Sequence, residues 1–388
     1  TQNIHNVHGP IFLDPIPKHG SLSLESIFIS QFGVNWENVL RFDMQDHLPV
    51  QAIKLVININ HMPDNNEIYI TEKQAKKINK NKNTYLWIFS PWEAVLNEDE
   101  LMEKINHCPI LNNKIIVTTS AREYDEKIIN DVRFISITDW WEGQYRHHLK
   151  HFSNVSFLKP NIEKQNLSNA TKKYLCLNRN LKHHRVWTYY LLLSNNMIPE
   201  GHVSFHLPSC AKEEPWLDYN HFVERSLYNI KGNDFKDYRQ LFFQDKKLDD
   251  LNTQHIINYN SSIVPYYKDS LFSLVTESLL EQDFVTEKTF KAIMHCHPFV
   301  TIGSKKTAER LRQKGYKTYE DIFGIDAIET PDELNKFLAH VKSYTLAEWK
   351  EKVLSVWPKV EHNWIHFLNS TNPFQHFTKK LKKVVNEK

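Results

Sequence analysis

The residues most able to do chemistry are Thr286, Glu287 and Lys288, which open a helix-compatible segment. Thr286 is a predicted N-cap, which places Glu287 and Lys288 in the first helical turn. The free backbone N–H groups and the dipole at such a helix end attract a diphosphate, and Lys288 adds a full positive charge without a metal. Glu287 can accept hydrogen bonds from ribose hydroxyls. These residues predict a nucleoside-diphosphate site, with a solvated capping pair as the structural alternative.

Several motifs that mark other chemistries are absent from the sequence. The phosphate loop G-x-x-x-x-G-K-[ST], the dinucleotide turn G-x-G-x-x-G and the nucleophile elbow G-x-S-x-G do not occur. No D-x-D triplet follows an apolar segment, which disfavours glycosyltransferases that hold a diphosphate through a divalent metal. His295 and His297 would point in different directions, so a helix C-terminus ahead of Pro298 is favoured over a metal site. We expect no metal and no bound cofactor.

Alternating apolar and helix-compatible segments predict the elements that position these residues. The first series has strands over Ile53–Ile59, Tyr85–Phe89, Ile115–Val117 and Phe134–Ile137, with helices over Glu98–His107 and Ala121–Asn130. The second series has strands over Tyr174–Leu177, Val203–Leu207, Ser270–Val275 and Phe299–Ile302, with helices over His184–Asn195, Thr286–His295 and Thr307–Lys314. A polar, irregular stretch separates Leu207 from Ser270, and the pattern is helical after Pro331. This order favours parallel sheets covered by helices.

The composition is that of an ordinary globular protein large enough for two domains. The chain has 388 residues, of which 41% are hydrophobic and 24% are charged. The pattern predicts an N-terminal domain over residues 1–155, a linker over 156–170, a second domain over 171–345 and closing helices over 346–388. Lys and Arg (48 residues) nearly balance Asp and Glu (46 residues), which argues against nucleic-acid binding driven by net charge.

The cysteines and the hydropathy predict a cytoplasmic location, in a bacterium or, for a viral protein, in its host. The four cysteines, Cys108, Cys176, Cys210 and Cys296, form no C-x-x-C pair and are expected to be free thiols in a reducing compartment. No apolar run approaches the roughly 20 residues needed to cross a bilayer. Because the chain begins with Thr1 rather than Met, a membrane anchor removed from its start is kept as an alternative.

The order of features over residues 171–325 resembles the donor-binding segment of the Lewis-type α-1,3-fucosyltransferases. In that family a strand ending in Glu precedes a loop, a T-E-K sequence that opens a helix, and an apolar strand closed by Gly-Ser. The matching residues here are Glu277, Thr286, Glu287, Lys288 and Gly303–Ser304. The resemblance implies a GT-B-like α/β fold, in which two Rossmann-like domains face a cleft and helices close the C-terminus. It also implies a nucleotide-sugar donor, GDP-fucose in that family.

Further donor contacts are implied by the same resemblance. The family has an earlier strand that ends near Asn and is followed by an Arg whose guanidinium binds the nucleotide diphosphate. Asn178, Arg179 and Arg185 resemble that element, with Arg185 ahead of Arg179 because it lies near a predicted helix start. Together with Glu277, Thr286, Glu287 and Lys288, they make up the predicted donor site.

An inverting transferase that uses no metal needs a carboxylate to take the proton of the acceptor hydroxyl. Glu93, which follows the predicted strand Tyr85–Phe89, is our first choice. Asp139 and Glu142 follow the strand Phe134–Ile137 and are the other choices, and a structural acid at a helix N-terminus is the alternative for each. Trp92, Trp140 and Trp141 are expected either to stack on an acceptor sugar or to pack between sheet and helix.

The sequence thus predicts a glycosyltransferase that moves a sugar from a nucleotide-diphosphate sugar to a hydroxyl of a glycan or another acceptor. One alternative is a transferase acting on hydroxymethylated bases of viral DNA. The basic cluster Lys379–Lys383 is its only support, and a helix C-terminus accounts for that cluster better. A second alternative is a noncatalytic carbohydrate-binding protein of the same fold. The sugar, the acceptor, the stereochemical outcome and the oligomeric state stay open.

Overall fold

The protein is an α/β chain made of two compact units. The computed structural model describes residues 39–40, 55–58, 72–80, 85–90, 98–137, 139–143, 146, 160–178, 181–206, 217–230, 235–242, 244, 246, 248, 264–280, 284–371 and 373–386. Unit 1 comprises Thr1–His148 and Thr371–Lys388, and unit 2 comprises Leu149–Ser370. Among the described residues each unit contains one sheet, so the α/β class expected from the sequence is confirmed.

Strands and helices alternate along most of the chain. The strands are β1 (Val39–Leu40), β2 (Leu55–Asn58), β3 (Tyr85–Ser90), β4 (Ile115–Thr119), β5 (Ile128–Ile129), β6 (Val132–Ser136), β7 (Lys172–Asn178), β8 (Gly201–Phe205), β9 (Ser270–Thr276), β10 (Phe299–Ile302) and β11 (Ala327–Ile328). The helices are α1 (Glu72–Lys80), α2 (Glu98–His107), α3 (Pro160–Asn166), α4 (His183–Ser194), α5 (Leu217–Leu227), α6 (Phe235–Phe242), α7 (Val264–Lys268), α8 (Glu287–Met294), α9 (Lys305–Gln313), α10 (Glu320–Phe323), α11 (Pro331–Lys342), α12 (Leu346–Ser355), α13 (Trp357–Asn369) and α14 (Pro373–Asn386). Across the described ranges, none of these helices has the length and apolar character required to cross a bilayer.

The sheet of unit 1 has six strands in the order β1-β2-β3-β4-β6-β5. Every pairing is parallel except that of β5 with β6. All five residues of β4 are buried, as expected for a central parallel strand that is covered on both faces. The last helix, α14, belongs to this unit, and its Phe377 ring stacks on Trp87 at 6.2 Å between ring centroids. A Lys380–Asp125 ion pair also ties α14 to this unit.

The helix predicted over Ala121–Asn130 is wrong. This segment forms a short 3-10 turn at Arg122–Tyr124 and then β5, which pairs antiparallel with β6. Asn130 and Asp131 have φ angles of 48° and 67°, the left-handed conformation that a two-residue hairpin turn requires. Asn and Asp adopt that conformation more readily than other side chains. The turn signal therefore outweighed the helical pattern around it.

Unit 2 contains a fully parallel sheet of five strands in the order β11-β10-β9-β7-β8. Its predicted strands and helices are present with ends shifted by a few residues at most. The predicted linker contains α3, and the stretch expected to be irregular contains α5, α6 and α7. Trp349 of α12 packs on Phe272 of β9 with 5.0 Å between ring centroids, and Trp349 and Trp357 are among the most deeply buried residues. The predicted group of closing helices is divided, because α12 and α13 belong to unit 2 and α14 to unit 1.

Candidate functional site

The strand order of unit 2 reverses beside β7. The chain passes from β7 through α4 to β8 on one side of β7, whereas β9, which lies on the other side, leads through α8 to β10. The helices α4 and α8 both begin at the carboxyl ends of these adjacent strands. In open α/β sheets, the crevice outside the carboxyl ends of the strands at such a reversal is where ligands bind. The predicted donor residues lie at the end of β7 or follow β7 and β9.

Thr286 caps the N-terminus of α8, as predicted. Its side chain accepts a hydrogen bond from Lys288 N–H at 3.4 Å. Its backbone N–H lies 3.3 Å from both carboxylate oxygens of Glu277, and its hydroxyl donates to the same carboxylate. Because Thr286 has an extended backbone (φ −101°, ψ −179°), the helix begins at Glu287. The local sequence thus positions the first turn of α8 at the crevice.

Lys288 lies on the first turn of α8, with its ammonium group held by neighbouring oxygens. Its Nζ is 2.7 Å from Glu287 Oε1, 3.2 Å from Ser278 Oγ and 3.3 Å from Thr286 Oγ1. The Lys288 side chain is 24% exposed, so solvent reaches it. Burial alone would raise the pKa of Glu287, but the positive charges of Lys288 and Lys291 outweigh this effect and lower that pKa. The first turn of α8 therefore presents an ammonium group whose charge is balanced by an ionised carboxylate.

Arg185 supplies a second cation from the first turn of α4. The side chain is buried, and its Nη2 lies 3.4 Å from the backbone carbonyl oxygen of Glu277. Burial lowers the pKa of the guanidinium, while the charges of Glu287 and Glu277 act in the opposite direction. An arginine retains its charge under these conditions because its ordinary pKa is above 12. Glu287 is thus electrostatically coupled to cations from both helices, Arg185 on α4 and Lys288 on α8.

Glu277 is completely buried between these elements. Its carboxylate accepts hydrogen bonds from Thr286 and from the hydroxyl of Thr289, and its carbonyl oxygen accepts one from His184 Nε2 at 2.6 Å. Burial raises the pKa of Glu277, although Lys288 and the hydroxyl donors oppose the shift. Its relative exposure is 0%, so the carboxylate contacts protein groups rather than solvent. The sequence predicts no role for Thr289 or His184. Glu277 is 12 residues away from Thr289 and 93 residues away from His184 in the chain, so neither contact follows from local spacing.

Asn178 ties neighbouring strands together. Its Oδ1 accepts a hydrogen bond from Thr276 Oγ1 at 2.7 Å, and its Nδ2 donates to Cys176 Sγ at 3.3 Å. Its backbone N–H donates to Ser204 Oγ at 3.0 Å. With a relative exposure of only 2%, Asn178 bonds to these protein groups rather than to solvent. The neighbouring Arg179 lies outside the described residues.

The predicted catalytic carboxylates of unit 1 have different environments. Glu93 and the neighbouring Trp92 lie outside the described residues. Asp139 is partly exposed and lies three residues after Ser136, where β6 ends. Glu142 is buried, and its Oε1 accepts two hydrogen bonds from Arg146, at 3.1 Å from Nε and 2.6 Å from Nη2. A carboxylate held in this way is poorly placed to collect a proton from a substrate hydroxyl.

The indole rings next to these acids are covered by protein. Trp140 and Trp141 have relative exposures of 0% and 7%. A ring that stacks on a sugar must offer one face to solvent, so these exposures favour the packing role for both. The sugar-stacking role predicted for Trp92 falls outside the described residues.

The comparisons with known proteins identify no relative, since no family model and no curated protein sequence matches the chain. Within the described ranges, no group of three or more His, Cys, Asp or Glu residues is arranged to hold a metal ion. Cys108, Cys176 and Cys296 are free and buried thiols. What the described residues offer is a crevice with two helix N-termini, a guanidinium, an ammonium group and one ionised carboxylate. Such a group can bind a dianionic ligand that also carries hydroxyl donors.

Proposed function

We propose that unit 2 binds the diphosphate of a nucleotide sugar at the crevice between β7 and β9. The observation that carries this proposal is that Arg185 and Lys288 lie on the first turns of two helices that begin at the carboxyl ends of the adjacent strands β7 and β9. Two cations on rigid helical turns match a ligand with two adjacent phosphates better than a single carboxylate. Glu287 lies beside both cations, where it can accept hydrogen bonds from ribose hydroxyls.

A diphosphate site of this kind supports glycosyl transfer from a nucleotide sugar to an acceptor hydroxyl. Negative charge develops on the diphosphate as the bond to the sugar breaks, and preorganised cations stabilise the transition state by offsetting that charge. Arg185 and Lys288 supply positive charge without a metal ion. The finer assignments, a GT-B-like fold and a fucose donor, rest on the sequence resemblance, and the two parallel-stranded sheets support the first of them.

The acceptor hydroxyl also has to lose a proton. We assign this step to a carboxylate of unit 1, with Glu93 favoured and Asp139 next. Asp139 ranks above Glu142 because it is partly exposed, whereas the Glu142 carboxylate is buried against Arg146. The sugar would invert at its anomeric carbon if the hydroxyl attacks directly.

Titration of the wild-type protein with nucleoside diphosphates, followed by calorimetry, tests the diphosphate site. Lys288→Ala should weaken binding of the preferred nucleotide about tenfold or more, because one charge-assisted contact contributes roughly 1.5–3 kcal/mol. Lys359→Ala is the matched control. Lys359 lies on α13, and like Lys288 it is a helical lysine that pairs with a carboxylate, here Asp321 at 2.9 Å. Equal affinities for the folded Lys288→Ala variant and the wild type would refute the assignment of the site.

A further inference from the structure

Three elements of the proposed diphosphate site meet at one buried residue, Glu277. Its backbone N–H donates to Ile302 O at 2.9 Å, which continues the pairing of β9 with β10. Its carbonyl oxygen lies 2.6 Å from His184 Nε2 and 3.4 Å from Arg185 Nη2, both on the first turn of α4. Its carboxylate bonds to the cap and the first turn of α8. Glu277 is therefore linked both to the helix that carries Arg185 and to the helix that carries Lys288.

The direction of one hydroxyl connects Glu277 to Lys288. A threonine hydroxyl has one hydrogen to donate and two lone pairs that accept. The hydrogen of Thr286 Oγ1 is donated to the Glu277 carboxylate, so its lone pairs remain for the Lys288 backbone N–H at 3.4 Å and the Lys288 Nζ at 3.3 Å. If the carboxylate did not accept that hydrogen, the hydroxyl could point it toward the ammonium group and weaken both contacts.

The contact to α4 is fixed in a similar way. Burial and the charge of Arg185 lower the pKa of His184 to about 3, so its ring is neutral at pH 7 and Nε2 carries the hydrogen given to Glu277. The space around Glu277 is also closed. Glu277 is 0% exposed, and the backbone of Gly303 packs so close to it that an added Cβ atom at position 303 would lie 3.1 Å from Glu277 Cβ. The residue therefore holds its neighbours in one arrangement.

We propose that Glu277 is a positioning residue, which fixes Arg185 and Lys288 at the separation that a diphosphate requires without touching the ligand itself. This inference rests on the proposed function, because it takes the diphosphate as the ligand of both cations. It changes the role expected from the sequence, which placed Glu277 among the donor contacts. The carboxylate is fully buried and accepts its hydrogen bonds from Thr286 and Thr289, so it acts on the ligand through Lys288.

A double-mutant cycle with two probes tests the role of Glu277. Wild type, Glu277→Gln, Lys288→Ala and the double variant are titrated with inorganic pyrophosphate and with guanosine diphosphate, and folding is checked by circular dichroism. Glutamine keeps the shape of the side chain but replaces one acceptor oxygen with a donor N–H. We expect Glu277→Gln to weaken binding of both probes about tenfold in the wild-type background and less than twofold in the Lys288→Ala background. Such non-additivity marks residues that act through one another.

The other outcomes are equally decisive. Unchanged pyrophosphate affinity in Glu277→Gln, or equal losses in both backgrounds, would overturn the positioning role. A loss for guanosine diphosphate alone would also overturn it, because Glu277 would then contact the nucleoside. If the wild type binds neither probe, the proposed function fails by itself. Hydrogen exchange of the unliganded proteins then decides whether Glu277 fixes the first turn of α8. Faster exchange of the Thr286 and Lys288 amides in Glu277→Gln supports this positioning role. Unchanged exchange overturns it.

Discussion

Three buried histidines of unit 2 should make its stability depend steeply on pH. Burial is the largest cause that lowers the pKa of each ring, to about 3 for His184 and His295 and to about 4 for His297. In the unfolded chain a histidine has a pKa of about 6.5. Between about pH 6 and pH 4 the unfolded state therefore binds up to three more protons than the folded state. The free energy of unfolding must then fall as the pH falls through this range.

The size of the effect follows from the number of protons. Each proton bound only by the unfolded state changes the free energy of unfolding by about 1.4 kcal/mol per pH unit, so three give at most about 4 kcal/mol per pH unit. Burial raises the pKa values of Glu163 and Glu277, which take up protons in the folded state and oppose this slope. A net slope of about 1.4–4 kcal/mol per pH unit is large beside a total stability of about 5–15 kcal/mol.

His295→Phe isolates one of these protons. The His295 ring stacks on Tyr267 with 4.1 Å between centroids, and its Nδ1 has no hydrogen-bond partner among the residues that the structure describes. Phenylalanine keeps the stacking and cannot titrate. Urea unfolding at pH 7, 6 and 5 should give an average slope that is shallower than the wild-type slope by about 1 kcal/mol per pH unit, because an unfolded histidine gains its proton only partly above pH 6. His221→Phe, at an exposed position of α5, is the control and should follow the wild type. Identical slopes for His295→Phe and wild type would refute the reasoning.

Turnover of a nucleotide sugar should survive EDTA, because in the proposed site Arg185 and Lys288 take the place of the divalent metal that other transferases use. Loss of activity that Mn²⁺ restores would contradict this expectation. Glu93→Gln should lower kcat about 10²–10⁴-fold and leave donor affinity unchanged, since the proposed donor site lies in unit 2; steady-state kinetics and donor calorimetry separate the two effects. If Glu93→Gln keeps the normal kcat, the same measurements on Asp139→Asn decide whether the base is Asp139.

The sequence predicts best those features that depend on neighbouring residues. The N-cap at Thr286 and the start of α8 at Glu287 follow from local capping preferences, and both are confirmed. The β5–β6 hairpin was missed because two residues, Asn130 and Asp131, decide it within a longer helix-compatible segment. A local signal of two residues is easily outweighed in a pattern averaged over ten.

For the candidate site, contacts between segments that are distant in the chain limit what the sequence can predict. The resemblance to the fucosyltransferases implies that Glu277 and Asn178 both contact the ligand. In the structure the Glu277 side chain accepts hydrogen bonds from Thr286 and Thr289. The Asn178 side chain accepts one from Thr276. Nothing in the local sequence distinguishes a polar residue that faces the crevice from one that lies beneath it. That difference depends on how adjacent strands and helices pack.

The position of α14 in unit 1 has a consequence for the order in which the protein folds during synthesis. Unit 2 is continuous in the chain, so all of its residues have been made before those of α14 leave the ribosome. Unit 1 receives the Phe377 side chain that stacks on Trp87 only when the region 373–386 has emerged. Domains generally fold as units while the chain grows. We therefore expect unit 2 to reach its native packing first and unit 1 to be completed last, although most of unit 1 is synthesised earlier.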